Sequence, residues 1–409
     1  MRRIVEACKA TGKSYKTVPG IGEMLDGEIS MDIIRDVSYS DLLGRQEVKL
    51  NMNSIENILK GKRVLITGSG GSIGSELCRQ IIELRPKKLL LVEQNEFALY
   101  NIHQELERKK TEVHIIPLLA SVRERDRVDK ITSTWQPDTL YHAAAYKHVP
   151  IQELHPWNAV ETNIGGTLNI LKLSDSYSVQ KFVLVSTDKA VNPANVMGAT
   201  KRAAEKLIQS FNVVSKTKMM AVRFGNVLGS SGSAIPTFQR QINQGGPITI
   251  THPEMTRYFM SIREASQLIL QCGAFGKDGE VFLLEMGSPI KITQMAKDLI
   301  RLSGLEPEID IPIVYTGLRP GEKLYEELQM YDEKRIKTNH KKIMILKQDE
   351  TFLDLDYILQ AVKSLMAASK ELDSDKIQAI LKQMLPTYRP PDFNLSEKKS
   401  FRYGIKGEA

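Results

Sequence analysis

Gly68-Ser69-Gly70-Gly71-Ser72-Ile73-Gly74 follows directly on the apolar run Arg63 to Thr67 and leads into a stretch with apolar residues at Ile73, Leu77, Ile81 and Leu84. Run, glycines and spacing predict a strand, a tight turn and a helix starting near Ser72. Glycines in such a turn let a phosphate approach the backbone, and the helix amino terminus offers it free N–H groups and a partial positive charge. The next apolar run, Lys88 to Val92, ends at Glu93, nineteen residues after Gly74. A carboxylate there can accept both ribose hydroxyls of an adenosine and repels a 2′-phosphate, which favours NAD over NADP. The alternative for Glu93 is a solvated strand end.

Outward from this loop the chain repeats strand, turn and helix. Further strands are predicted at Val113 to Pro117, Thr139 to His142, Phe182 to Ser186 and Met219 to Phe224. Short Val/Ile/Leu-rich runs alternating with helices predict an α/β fold of Rossmann type, a doubly wound parallel sheet covered on both faces. The chain divides into a lead-in over 1–58, an NAD-binding part over 59–224, a mainly substrate-binding part over 225–345 and a helical extension over 346–409. After Gly225 the clusters Gly229-Ser230-Ser231-Gly232-Ser233 and Gly245-Gly246-Pro247 mark a loop-rich part. Placed at the carboxyl ends of the strands, it would roof the ligand crevice. The lead-in is expected to hold a short helix at Arg2 to Ala10, a turn at Pro19-Gly20 and a strand near Ile29 to Ile34.

Composition narrows the function classes without choosing one. Of 409 residues, 42% are hydrophobic and 26% charged, values of an ordinary soluble protein, and no apolar run reaches the length of a membrane span. The start Met1-Arg2-Arg3-Ile4-Val5-Glu6 lacks a secretory h-region, so a cytoplasmic location is expected. Cys8, Cys78 and Cys272 are scattered and the seven histidines show no ligand spacing, so buried thiols and no metal site are expected. The net charge is +7, with Arg2, Arg3, Lys9, Lys13 and Lys16 near the start. That cluster suits either an anionic membrane surface or a solvated helix face. The basic total also suits a phosphate-bearing substrate, and no interleaved basic and aromatic pattern favours nucleic acid.

Later segments narrow the reading further: His142-Ala143-Ala144-Ala145-Tyr146-Lys147-His148-Val149-Pro150, Asn163-Ile164-Gly165-Gly166-Thr167, Ser186-Thr187-Asp188-Lys189-Ala190-Val191-Asn192-Pro193, Met197-Gly198-Ala199-Thr200-Lys201, Arg223-Phe224-Gly225-Asn226-Val227 and Gly317-Leu318-Arg319-Pro320-Gly321-Glu322-Lys323. Over roughly residues 20 to 345 the chain resembles the extended short-chain dehydrogenase/reductase superfamily. Within it, the resemblance is to the UDP-N-acetylglucosamine 4,6-dehydratases of bacterial surface-polysaccharide and glycan synthesis. Larger members of that group carry membrane helices ahead of this part, so a longer, membrane-anchored native form is expected, on the cytoplasmic face of the inner membrane. A homo-oligomer and a UDP-N-acetylhexosamine substrate are implied as well.

The superfamily uses Tyr-x-x-x-Lys, but Met197 stands at the tyrosine place and Lys201 four residues on. A thioether carries no proton, so the acid/base of an ordinary dehydrogenase or epimerase is missing. The larger dehydratases share the methionine, which suggests retention at carbon 5. The resemblance leaves Lys201 to hold the nicotinamide ribose and moves the proton chemistry to Thr187, Asp188 and Lys189. In the implied reaction, hydride leaves carbon 4 of the hexose, Lys189 removes the acidified proton on carbon 5, Asp188 protonates the hydroxyl leaving carbon 6, and the hydride returns there. Thr187 would hydrogen-bond the carbon 4 hydroxyl. A surface ion pair is the alternative for Asp188 and Lys189.

Dinucleotide contacts are expected from Gly68, Gly70, Gly71, Ser72, Ile73, Gly74, Glu93, Ser121, Val122, Ala143, Ala144, Lys147, Asn163 and Lys201. Contacts to the nucleotide sugar are expected from Lys147, Ser186, Asn226, Arg257, Arg319 and Glu322, with guanidinium forks matching phosphate oxygens and Glu322 ordering its loop. Lys147 as a solvated loop lysine, and the arginines as caps or surface partners, are the alternatives. Two rival functions remain: an epimerase or ketosugar reductase of the same fold, and a non-catalytic NAD-binding scaffold.

Overall fold

Six apolar runs form parallel strands: β1 (Arg63–Thr67), β2 (Lys88–Glu93), β3 (His114–Leu119), β4 (Thr139–His142), β5 (Lys181–Val185) and β6 (Lys218–Arg223). They pair in the order β3-β2-β1-β4-β5-β6. Each bound lies within two residues of its expected position. The computed structural model describes residues 50–348, except residue 278, and 354–391, with isolated positions ahead of residue 50. The lead-in helix, turn and strand, and Cys8, fall in the stretch outside these described residues.

Alternation along β1 explains the layering, because successive side chains of a strand point to opposite faces. Val64 and Ile66 pack with Leu89 and Leu91 against α1 (Met52–Leu59), α2 (Ser72–Glu83), α3 (Glu96–Glu107) and the later helix Ile262–Phe275. Leu65 packs on the other face with Leu90, Leu140 and Leu184 against Arg125–Trp135, Thr167–Ser176 and Val196–Val214. Both faces of the central strands are therefore dry, which is why these strands are almost continuously apolar, whereas the edge strand β3 stays partly exposed.

The sheet does not end at residue 224. β7 (Val281–Leu284) adds in parallel beside β6, and β8 (Glu333–Lys337) and β9 (Ile343–Gln348) close the edge, β9 antiparallel to β7 and β8 antiparallel to β9. Strands within the expected substrate-binding part are thus sheet strands, because β7 is as apolar as the earlier ones and needs the same cover. The inserted stretches keep a core of their own, in which Leu228, Ile235, Phe238, Ile248, Ile250, Met295 and Ile300 meet.

Beyond the sheet, helices Leu355–Lys370 and Ser374–Met384 bury Ile358, Leu365, Ile377 and Leu381 against the same core as helix Val196–Val214. After them the backbone N–H of Arg389 donates to the Pro193 carbonyl oxygen at 2.8 Å. Among the described residues, no helix is long and apolar enough to cross a membrane.

Candidate active site

The connections after the paired strands β1 and β4 leave for opposite faces of the sheet where the strand order changes direction, leaving a crevice at the carboxyl ends as in other doubly wound sheets. The glycine loop fills its floor. A Cβ on Gly74 would overlap the Gly68 carbonyl oxygen, and one on Gly68 would stand 2.6 Å from the backbone nitrogen of Ala144. Gly68 also takes a φ of +68°, which a side chain disfavours. Gly71 differs: its nearest neighbour would be 3.3 Å away, and it borders two cavities.

The first cavity, about 280 Å³, is lined by Gly70, Glu93, Ala98, Val122, Ala144 and neighbours. Glu93 is buried, and its carboxylate accepts N–H bonds from Gly70 at 3.1 Å, Gln94 at 2.9 Å and Asn95 at 3.0 Å. It is not a solvated strand end. The second cavity, about 460 Å³, shares Gly68, Gly71, Ala143 and Ala145 with the first, so the two flank the glycine loop from opposite sides. Paired cavities meeting at a glycine loop and a helix amino terminus, with a carboxylate on the far wall, fit a dinucleotide.

The wall of the second cavity carries Ser186, Thr187, Lys189, Met197, Lys201 and Asn226. Thr187 and Asp188 follow β5 and turn into a 3-10 segment, Asp188–Ala190, before Asn195 caps the helix Val196–Val214. Asn195 Oδ1 accepts from Gly198 N at 2.7 Å, and a Cβ on Gly198 would overlap the Lys189 carbonyl oxygen. The turn Asp188–Ala190 is therefore clamped onto the helix start. Lys189 Nζ donates to Asp188 Oδ1 at 3.0 Å and to Asn226 Oδ1 at 3.1 Å. Asp188 is wholly buried, so this is not a surface ion pair. Asp188 does not line the cavity; its Oδ1 also accepts from Thr187 Oγ1 at 3.0 Å, and its buried Oδ2 has no hydrogen-bond partner.

Electrostatics separate the lysines. Burial pulls Lys189 down, but the Asp188 and Glu326 carboxylates outweigh it and leave the ammonium above its usual range. Lys147, on the exposed lip, is held below the usual range by desolvation and the Lys189 charge. Lys201 donates to the Val185 carbonyl at 2.6 Å and is pushed down to about 8 by burial, against the pull of Glu205.

Behind the wall, His142 is pushed down to about 3 by burial and by the Lys201 charge. The Thr167 hydroxyl is spent on the Asn163 carbonyl, so neutral His142 donates from Nε2 to Thr167 Oγ1 at 3.0 Å and accepts from Thr67 Oγ1 at Nδ1, 2.7 Å. Deeper still, Arg202, Arg223, Glu205 and Glu333 form a buried four-membered ion cluster with N–O distances from 2.8 to 3.3 Å. Ser186 joins it by donating to Glu205 Oε1 at 2.6 Å.

Several expected contact residues lie elsewhere. Asn163 sits in a buried π-helical turn, Val160–Gly166, and spends its amide on Tyr146 N, Tyr146 O and Thr200 Oγ1. It shapes the loop after β4 without lining either cavity. Ser121 also lies off both walls, its hydroxyl near Gln94 Oε1 at 3.4 Å. Arg257 is buried and donates to the carbonyls of Thr256, Lys323 and Leu324, while Arg319 is exposed and away from both cavities. Glu322 accepts the Arg319 N–H at 3.2 Å and so orders that loop.

Sequence reading missed Glu326. Its side chain is 5% exposed and stands 3.7 Å from both Lys189 Nζ and Arg257 Nε. A glutamate in an irregular segment beside Glu327 carries no periodicity or motif that would single it out. The loop Gly229–Ser233 does roof the second cavity: Ser231 N donates to Ser72 Oγ at 3.2 Å, and a Cβ on Gly232 would press on the His148 ring. Cys78 and Cys272 are buried thiols, and no group of residues able to hold a metal occurs among the described residues.

Comparison with known proteins places this geometry. The profile of the family described as "Polysaccharide biosynthesis protein" matches residues 64–348. The chain is 51% identical over 330 residues to the capsular polysaccharide biosynthesis protein CapD of Staphylococcus aureus, covering 80% of this chain and 55% of CapD. It thus spans about half the length of the curated relatives it matches. A UDP-N-acetylglucosamine 4,6-dehydratase (inverting) of Campylobacter jejuni is 32% identical, covering 68% of this chain and 80% of its own. A UDP-glucose 4-epimerase of Rickettsia canadensis is 35% identical over 65% of this chain and 77% of its own. Among solved structures, Pen from Bacillus thuringiensis superimposes with a TM-score of 0.66 at 34% identity, covering 71% of this chain and 90% of that one.

Proposed function

The chain belongs to the polysaccharide biosynthesis protein family, and on that premise we propose that it dehydrates UDP-N-acetylglucosamine to the 4-keto-6-deoxy sugar with a resident NAD. The observation that carries this reading is Met197 on the cavity wall, one helical turn before Lys201 and beside the buried Asp188–Lys189 pair. An epimerase needs an acid/base group where the thioether stands. A dehydratase needs a base and an acid close together, and the pair provides both.

The glycine loop and Glu93 would hold NAD, which would supply hydride acceptance at carbon 4 and hydride return at carbon 6. The protein's own groups handle the protons. A proton moved from Lys189 Nζ to Asp188 Oδ1 across their 3.0 Å contact creates the base and the acid together, with no net proton uptake. Lys189, on the wall, takes the carbon 5 proton and returns it to carbon 5 once carbon 6 is reduced, and the proton released from the carbon 4 hydroxyl restores the ammonium of the pair by way of solvent. Asp188 delivers its proton to the carbon 6 hydroxyl through Thr187 Oγ1, which touches Asp188 and does line the cavity. Asn226 holds the Lys189 head in register, and Lys147 at the lip meets the sugar nucleotide.

A proton NMR time course in deuterated water, with UDP-N-acetylglucosamine and no added cofactor, tests the proposal. Expected are a growing carbon 6 methyl signal, loss of one water from the product and no accumulation of NADH. Retained configuration at carbon 5 is expected from the methionine, in contrast to the inverting Campylobacter relative. A product of unchanged mass inverted at carbon 4 would make the protein an epimerase.

The resident dinucleotide has its own test. In Gly74→Ala the added methyl group must displace the Gly68 carbonyl and reshape the loop. Purified variant is expected to retain less than about a tenth of the wild-type dinucleotide after desalting, read from the released nucleotide. Equal retention in the two proteins would remove the loop from NAD binding.

A further inference from the structure

The geometry points to Glu326 as the positioning residue that holds the head of Lys189 and stabilises the charge it gains on taking the carbon 5 proton. This rests on the dehydratase reading above. Lys189 is faced by Thr187 and Asp188 of its own turn, Asn226 after β6, Arg257, Glu326 and, across the cavity mouth, Lys147. A lysine ammonium has three N–H donors. Asp188 and Asn226 accept at 3.0 and 3.1 Å, and Glu326 Oε1 stands over the third side at 3.7 Å.

Glu326 is fixed from behind. Its Oε1 is 3.7 Å from Arg257 Nε, and the Arg257 guanidinium donates to the Thr256, Lys323 and Leu324 carbonyls at 2.7, 2.6 and 3.0 Å. The segment that carries it is stitched to the catalytic turn: Lys323 Nζ donates to Val191 O at 3.1 Å and Asn195 Nδ2 to Gly321 O at 2.9 Å. Arg257 and Glu326 border neither cavity, so neither touches substrate in this arrangement. The motif around Gly321 therefore acts by delivering a carboxylate to Lys189 from the side away from the sugar.

As the proton leaves carbon 5, its electron pair passes to the carbonyl at carbon 4, and the Lys189 amine becomes an ammonium. Asp188 has by then become neutral and attracts that cation less. Glu326 remains as the carboxylate beside it. Buried carboxylates near a forming cation favour it strongly, because little water screens them.

The test compares Glu326→Gln and Glu326→Asp with wild type in kcat, KM and the pH profile of kcat. Glu326→Gln is expected to lower the plateau kcat at least about tenfold with KM within about twofold. The alkaline limb, where the pair loses its one proton and with it the acid, is expected to move to lower pH; Glu326→Asp keeps the charge and keeps the limb near wild type. A wild-type kcat and limb in Glu326→Gln, or a loss confined to KM or thermal stability, would overturn the assignment. Carbon-13 NMR of labelled lysine, with the Lys189 signal assigned from Lys189→Arg, reads the same effect without turnover. Should wild type fail to convert UDP-N-acetylglucosamine, the dehydratase reading falls. The NMR titration then decides Glu326 alone: an unmoved Lys189 signal in Glu326→Gln rejects it.

Discussion

Replacing Lys189 by alanine is expected to cut turnover of UDP-N-acetylglucosamine by about a thousandfold or more, since a positioned base contributes 10²- to 10⁴-fold and no second amine replaces it. Lys147 is the nearest rival, but it sits on the lip and not against Asp188. UDP binding, followed by calorimetry, should stay within a few-fold. Loss of the ammonium also leaves Asp188 buried with only the Thr187 hydroxyl, so Lys189→Ala should melt earlier than wild type. Asp188→Asn separates the two effects, because it is isosteric and removes the buried charge together with its proton. It should lose turnover to a similar extent while folding at least as well as Lys189→Ala. Turnover within tenfold of wild type in either variant would exclude the pair from the proton chemistry.

The second large effect is on stability. Arg223→Met is expected to destabilise the fold by about 3–5 kcal/mol, the usual consequence of removing one partner from a buried ion cluster, measured by denaturant unfolding. Arg223 contacts both Glu205 and Glu333, so its loss leaves the two buried carboxylates with Arg202 as their one remaining guanidinium partner in the cluster. Burial alone would raise the Glu205 pKa, but the Arg223 and Arg202 guanidiniums outweigh it and hold it at about 2, below its ordinary 4.5. A carboxylate depressed in the folded state contributes stability that is complete above the unfolded value and is lost as pH falls. Wild-type unfolding free energy should therefore decline between about pH 4.5 and 2, and that part of the decline should shrink in Arg223→Met. A variant as stable as wild type at pH 7 would show that the cluster is dispensable.

How much of this was legible in the sequence follows from what each feature needs. β1 to β6 and the helix after the glycines announce themselves because burial on both faces demands continuous apolar runs, and the turn demands glycine. Thr187, Lys189, Met197, Lys201 and Asn226 were legible because short segments bring them to one wall. β7 and β8 lie in the stretch expected to be mainly substrate-binding and β9 runs from it into the expected helical extension, because their place in the sheet depends on pairing with strands far away in the chain. From the sequence Arg257 and Arg319 fit phosphate ligands, because a guanidinium matches either a phosphate or backbone carbonyls. Only the fold shows Arg257 spent on carbonyls. Glu326 lacked any local signal, because its role is defined by two side chains from other segments.

The ion cluster behind Ser186 also carries a consequence for how the molecule comes into being. β1 to β6, the glycine loop, Asp188, Lys189 and Lys201 are all translated before residue 224, yet Glu326, Glu333 and the Arg389 tie to Pro193 emerge from the ribosome a hundred residues or more later. A nascent chain halted before residue 326 would hold every group proposed to handle protons, with Arg202 and Arg223 sharing Glu205 and without Glu326 beside Lys189. Assembly of this arrangement is thereby postponed until the segment with Glu326 and Glu333 has been made. A partial product on the ribosome would display the residues of the cavity wall without the framework that positions them.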